Sequence, residues 1–208
     1  HAENWKARLQ VFLHDRMKLT LSTEKTLITD IRKKHIKFLG YEFKMVPGKS
    51  RRGYIPRTLP DRDRLKREVD KITEEIKHIP RSYSKEKMIG AINRINSEIR
   101  GVIQYYQCCT WVNIAMQKHV QKLMWAGKRR LKQYKGKWIP ANETQNLPRV
   151  HQQYKTKIPS IKYRDIYVGF TALTFCRWEK PYPKREAETP YTEAGRQLYF
   201  ERTKKKRQ

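Results

Sequence analysis

Three successive apolar stripes constrain this chain more than any other feature. Leu65, Val69, Ile72, Ile76 and Ile79 step by 4, 3, 4 and 3 residues, the spacing of one helical face. Pro60 is tolerated in the first turn of such a helix and Pro80 ends it. Asp61 and Asp63 fall at its start, where the helix dipole favours negative charge. Ser84 is an N-cap candidate for a second helix over about residues 85–108, with Met88, Ile92, Ile95, Ile99 and Val102 or Ile103 as its stripe. A third helix is predicted over about 111–134. Its stripe is Val112, Ala115 or Met116, Val120, Leu123 or Met124, and Leu131. Three one-striped helices with short links can bury those stripes against one another, which makes a bundle.

The flanks read differently. Trp5, Leu9, Phe12, Leu13 and Met17 recur at helical spacing, so a helix is predicted over about 3–18. Thr26–Asp30 and Ile36–Phe43 read as strands, joined by a cationic elbow at Arg32, Lys33 and Lys34. Pro47-Gly48 is a turn, and a short strand is expected around Gly53–Arg57. On the other side, periodicity dissolves from about 136 to 150. "SIKYRDIYVGFTALTF" then reads as strand or irregular β structure, and "TPYTEAGRQLYFER" as a final helix capped by Thr189 or Thr192. "TKKKRQ" reads as a frayed cationic end, and there is no internal repeat. The expected fold class is α+β, mainly α. Its parts are a β-hairpin segment (1–58), a three-helix bundle (59–136) and a basic, partly irregular region (137–208).

Charge narrows the function. The chain of 208 residues carries 48 Lys and Arg against 20 Asp and Glu, a formal +28. Residues 1–110 hold 25 basic and 13 acidic side chains (+12), and residues 111–208 hold 23 and 7 (+16), so no single tail supplies the excess. Such a field repels itself unless a polyanion neutralises it, and nucleic acid is the leading partner. "GKRRLKQYKGKW" (127–138) is the strongest binding candidate: Lys128, Arg129, Arg130, Lys132, Lys135 and Lys137 alternate with Tyr134 and Trp138. Cations for phosphate with rings for bases are the usual combination. A solvated helix end is the rival reading. A second cluster comprises Arg32, Lys33, Lys34, Lys37, Lys49, Arg51 and Arg52.

Other chemistries find little support. Cys108, Cys109, Cys176, His119 and His151 lack the closely paired spacing of a zinc site and read as small buried thiols on a helix and ordinary histidines. No metal site is expected. Their odd number argues for a reducing, intracellular setting rather than a disulfide framework. "PGKS" (47–50) has Phe43 where a phosphate loop needs glycine. No apolar run approaches the roughly 18 residues of a membrane span. The first residues, "HAENWKARLQ", read as the inside of a helix, so a piece of a longer chain is expected.

Three stretches resemble the group II intron-encoded reverse transcriptase/maturases. "LTLSTEKTLITDIRKKHIKFLGYEF" is similar to their last palm motif through Leu19, Leu21, Ser22, Glu24, Lys25 and Thr26, then Phe38, Leu39, Gly40 and Tyr41. "INRINSEIRGVIQYYQ" is similar to their maturase (X) thumb segment through Ile92, Asn96, Arg100, Gly101, Tyr105 and Tyr106. "TPYTEAGRQLYFERTKKK" looks like the end of their DNA-binding region. The resemblance implies the edge of a palm, a thumb and a DNA-binding region. It also implies an RNA-directed DNA polymerase whose Tyr-x-Asp-Asp turn would lie upstream of His1, so no catalytic residue is expected here. Mg2+ and dNTPs would bind in that missing palm. The partners implied are group II intron RNA, target DNA, template–primer duplex and the fingers/palm part of the same protein, with no membrane. The implied setting is cytoplasmic, in a bacterial or organellar ribonucleoprotein. Phe38 and Leu39 are expected on opposite faces of a strand, one on the preceding helix and one on the thumb. Gly40 is expected at a close approach of backbone or nucleic acid. Gly101, mid-helix, is expected at a close helix approach or an RNA contact. A stand-alone basic RNA-binding or ribosome-associated protein remains the alternative from composition. A helix-turn-helix regulator fits poorly, because the central helices are long and lack the short turn.

Overall fold

The structure, a computed structural model, describes residues 1–179 and 185–204. It is an α+β protein that divides into two compact units, His1–Leu65 and Lys66–Gln208. The expected segments 59–136 and 137–208 both fall largely in the second.

The first unit begins with α1 (Ala2–Met17), which ends on Lys18 in the left-handed region. Its apolar stripe forms as expected, yet α1 buries no side chain: Trp5, Leu9, Phe12 and Met17 are all exposed. The strand expected over Thr26–Asp30 does not form. Its polar groups are engaged locally instead: Thr26 N donates to Ser22 O at 2.9 Å, and the Asp30 carboxylate accepts from Arg32 N at 3.0 Å. The strand expected over Ile36–Phe43 is two strands, β1 (Ile36–Phe38) and β2 (Tyr41–Pro47), paired antiparallel with Phe38 opposite Tyr41. Leu39 (φ 49°) and Gly40 (φ 79°) make the two-residue turn, since positive φ at both positions matches the twist of the strands. β3 (Tyr54–Pro60) completes the sheet in the order β1-β2-β3.

Asp61, rather than Pro60, opens the next helix. Pro60 is the last residue of β3, and the Asp61 carboxylate accepts from the amides of Asp63 (3.0 Å) and Arg64 (3.3 Å) at the start of α2 (Arg62–His78). In the second unit, α3 (Lys85–Tyr106) is capped by Ser84, whose hydroxyl accepts from Lys87 N at 3.3 Å. α4 (Val112–Leu131) follows and runs into a 3-10 turn at Lys132–Tyr134, so the helix is slightly shorter than expected. Leu65, Val69, Ile72, Ile76, Ile79, Met88, Ile92, Ile95 and Ile99 are all buried. So are Ile103, Met116 and both Leu123 and Met124, which resolves the paired alternatives. Ion pairs Arg94–Glu75 (2.9 Å) and Lys122–Asp70 (2.7 Å) tie α2 to α3 and to α4.

The region read as partly irregular contains a second antiparallel sheet. β4 (Lys137–Pro140), β5 (Lys157–Tyr163) and β6 (Ile166–Gly169) pair in that order, with Lys137 opposite Ser160 and Ser160 opposite Gly169. β4 lies where periodicity dissolves and was not expected as a strand. This sheet and the following 3-10 turn (Leu173–Phe175) pack on α3 and α4. Gly127 admits the contact on α4, because a Cβ there would sit 2.9 Å from the Phe170 ring. Asn96, fully buried in the α3 stripe, donates from Nδ2 to Gly169 O (2.9 Å) and accepts at Oδ1 from Thr171 N (2.8 Å). α5 (Glu193–Lys204) starts from Thr192, whose hydroxyl accepts from Gly195 N at 3.1 Å. Thr203, expected to fray, is buried and bonds back to Tyr199 O at 2.9 Å; residues 205–208 of the expected cationic end lie outside the described residues.

Removing the Asn96 amide leaves Thr171 N buried without that acceptor, and an unsatisfied buried donor costs about 1–3 kcal/mol. Asn96→Ala is expected to lower unfolding stability by at least about 2 kcal/mol once lost packing is added. Denaturant melts measure this, and a change below about 0.5 kcal/mol would deny the bridge its role.

Candidate nucleic-acid interface

The cations sort into those the fold already uses and those it leaves to solvent. In the first unit, Arg32 forms a fork with Asp30: Nε to Oδ1 and Nη2 to Oδ2, both 2.9 Å. The Arg32 side-chain bonds, then its backbone N–H, pull the Asp30 carboxyl down to about 2. Ile31 O accepts from Met45 N at 3.0 Å, which pins the turn to β2. Lys37 lies 3.2 Å from Asp61, 3.0 Å from Asp63 and 3.8 Å from Glu42. Lys37 is thus held over the start of α2, and hydrogen bonds to Asp63 and then Asp61 raise its pKa. Lys33 and Lys34 in the turn, and Lys49, Arg51 and Arg52 in the β2–β3 loop, are exposed. The first unit therefore offers two short cationic loops rather than one continuous elbow.

Two expectations about the Phe38–Tyr41 stretch change. Phe38 and Leu39 are 63 % and 65 % exposed at the hairpin tip, so neither packs on a helix. The close approach at Gly40 is made by the Arg64 side chain, which a Cβ would meet at 2.7 Å. Gly40 O accepts from Asp61 N at 2.9 Å, so this glycine serves the turn and the entry to α2. Tyr41 is half-buried, its ring 6.3 Å from Phe43.

In the second unit, the thumb-like motif splits by helical face. Ile92, Asn96 and Tyr106 point inward, whereas Gly101 and Tyr105 are exposed and Arg100 is half-buried. Arg100 Nη2 donates to Ser97 Oγ at 2.9 Å. Burial first, and then the Arg100 charge, lowers the pKa of His151, which pairs with Thr171 Oγ1 at 2.7 Å. A Cβ on Gly101 would meet nothing within 4 Å, so the close helix approach expected there is not made among the described residues.

The end of α4 departs most from a plain basic run. Lys128 Nζ donates to Gly136 O, which latches the chain exit back onto the helix. Tyr134 donates its hydroxyl to Tyr83 O at 2.6 Å, so it anchors the exit to the α2–α3 link rather than offering an open ring. Arg129, Lys132, Lys135 and Lys137 are exposed. Arg130 is only 9 % exposed, and its Nε and Nη2 are buried without a hydrogen-bond partner among the described residues. It lines a cavity of about 1040 Å³ between α2 and α4, together with Lys77, Arg81, Lys122, Trp125 and Arg129. The sequence reading missed Lys77, Arg81, Lys122 and Trp125. For Lys122 and Trp125 the available signal was the helical spacing of 122, 125, 126, 129 and 130, one face of α4. Trp138 is half-buried and meets Trp125 edge-to-face, centroids 5.7 Å apart at 81°.

Among the described residues no group of three or more His, Cys, Asp or Glu could hold a metal ion, and no helix is long and apolar enough to cross a membrane. Cys108 and Cys109 sit in the turn after α3 rather than on a helix. Burial pushes the Cys109 and Cys176 thiols up to about 12, which keeps them protonated and unreactive. Neither a scan of protein-family models nor a search of curated proteins finds a match for this chain.

Two outcomes follow from this sorting. Arg129→Gln and Lys132→Gln should leave the melting temperature unchanged and each reduce the salt slope of nucleic-acid binding by about 1, whereas Lys128→Gln should lower the melting temperature. Equal effects of all three on melting would refute the division. The second outcome concerns Asp70, whose pKa is lowered to about 2 by hydrogen bonds from Lys122 and then Lys66. A carboxyl depressed on folding adds stability above its unfolded value of about 3.9 that is lost as pH falls toward 2. Acid melts from pH 5 to pH 2 should therefore be shallower in Asp70→Asn; an unaltered slope would mean the pair is not formed.

Proposed function

We propose that this chain is the palm-edge, thumb/maturase and DNA-binding portion of a group II intron reverse transcriptase. It would bind intron RNA to promote splicing and grip template–primer duplex during target-primed reverse transcription. The observation that carries this reading is the thumb-like motif from Ile92 to Tyr106, found in one chain with the palm-like residues Leu19–Thr26 and Phe38–Tyr41. Its helical split supports the reading physically. Ile92, Asn96 and Tyr106 are buried in the core, while Gly101 and Tyr105 are exposed and Arg100 is half-buried, which leaves a bare backbone, a ring and part of a cation at the surface. A glycine mid-helix costs about 1 kcal/mol against alanine. With no close neighbour among the described residues, an RNA backbone lying against Gly101 supplies a reason for it. The exposed Lys33, Lys34, Arg51 and Arg52 add phosphate contacts that position a polyanion without reading its sequence.

Polymerase chemistry would come from carboxylates on another segment holding Mg2+ and dNTPs. Asp61 and Asp63 are already engaged within the fold: Asp61 caps α2, and both are held by Lys37. The role proposed for these residues is to bind and orient nucleic acid.

The test is binding of structured intron RNA against unrelated RNA of equal length at near-physiological salt. At least a tenfold preference is expected, and joint conversion of Lys33, Lys34, Arg51 and Arg52 to Gln should weaken binding and flatten its salt dependence. Equal affinity for both RNAs would sink the maturase reading. A separately supplied fragment with the Asp pair should restore cDNA synthesis when mixed with this chain; no recovery counts against the polymerase reading.

A further inference from the structure

The cavity between α2 and α4 is lined by cationic side chains and one tryptophan. One wall is the α4 face that carries Lys122, Trp125, Arg129 and Arg130, and the other is α2 at Thr73 and Lys77. Thr73 and Ala126 are small and buried, and they leave the floor open between the helices. Gln133 Nε2 donates to Arg81 O at 2.9 Å near one end of the cavity. Lys122 is paired with Asp70 at 2.7 Å and Lys77 with Glu74 at 2.6 Å, so the nearby carboxylates are already neutralised. Arg81, Arg129, Arg130 and Lys132 remain as cationic lining.

We propose that this cleft takes single-stranded nucleic acid, with one backbone phosphate on Arg130 and an adjacent base stacked on Trp125. This rests on the reading of the chain as a nucleic-acid-binding protein and adds which form of nucleic acid this site selects. Two independent features carry it. The first is Arg130. A guanidinium removed from water is costly unless it meets charge-assisted acceptors, and its planar fork matches two phosphate oxygens. Arg130 is among the residues that line the cavity, so a phosphate that satisfies its unpartnered donors enters there. A duplex is stiff over about 150 base pairs and presents its phosphates on a convex rod, whereas a single strand bends into a concavity. The second feature is Trp125, still 54 % exposed although it lines the cleft. Trp138 braces it edge-to-face, which holds the ring in one orientation. A fixed exposed ring beside a buried phosphate fork is the pairing that single-strand sites use.

The experiment uses the whole chain and a labelled single strand of about 12 nucleotides, within the roughly 4–16 of known single-strand sites. A blunt duplex of the same sequence is the comparison, and anisotropy at fixed salt gives the affinities. Arg130→Met removes the fork and keeps the stem, and Trp125→Leu changes an exposed side chain; circular dichroism checks folding of both. Each variant is expected to weaken single-strand binding about tenfold, about 1.4 kcal/mol, and duplex binding less than twofold. Single-strand binding should also quench tryptophan fluorescence in the wild type, with most of that quench absent in Trp125→Phe. Loss of single-strand and duplex affinity in parallel, or no loss in either variant, overturns the cleft and leaves the general nucleic-acid reading standing. A wild-type chain that binds neither probe overturns both.

Discussion

The second unit depends on the side chain of one asparagine. Asn96 stands in an apolar stripe between Ile92 and Ile99, and both ends of its amide are used on the backbone of 169–171. Asn146 holds the same glycine, accepting from Gly169 N at 2.9 Å and donating to Gly169 O at 3.0 Å. Two amide side chains thus continue a hydrogen-bond ladder where β6 stops. Between these bonds Phe170 is fully buried, and it seats under α4 only because Gly127 has no side chain. A polar group in the core tolerates only a register that satisfies it, so the bridge specifies how α3, β6 and α4 meet. That register leaves the face carrying Trp125 and Arg130 toward the cleft.

Net charge suggests one uniform surface, and the geometry divides it. Arg32, Lys37, Lys122 and Lys128 are committed to carboxylates or to a carbonyl within their own unit, while Lys33, Lys34, Arg51, Arg52, Arg129 and Lys132 extend from loops or the end of α4. The committed group shapes the elements that carry the second.

Helices α2, α3 and α4 were legible because each buries one face, and a single stripe at spacing 3 and 4 has no other interpretation at that length. The hairpin tip was not, because its Leu-Gly lacks the Asn or Asp that usually announces a two-residue turn. Thr26–Asp30 looked β-prone, yet a carboxylate two residues before Arg32 offered the backbone a competing partner. The site was half legible. The basic run at 128–137 was visible as composition. Only helical register separates buried Arg130, one step from core Leu131, from its exposed neighbours, and only the fold reveals that Lys128 and Tyr134 are structural.

α1 carries a consequence of its own. A helix of 16 residues with no buried side chain is near the length at which isolated helices are marginal in water. Lys6 Nζ on Thr26 O (2.8 Å) and the left-handed cap at Lys18 supply local order, but no apolar burial supports them. Its opening and closing therefore follow helix–coil equilibrium rather than the global unfolding of the chain. A partner that covered Trp5, Leu9 and Phe12 would add the apolar burial that α1 lacks and raise its helicity.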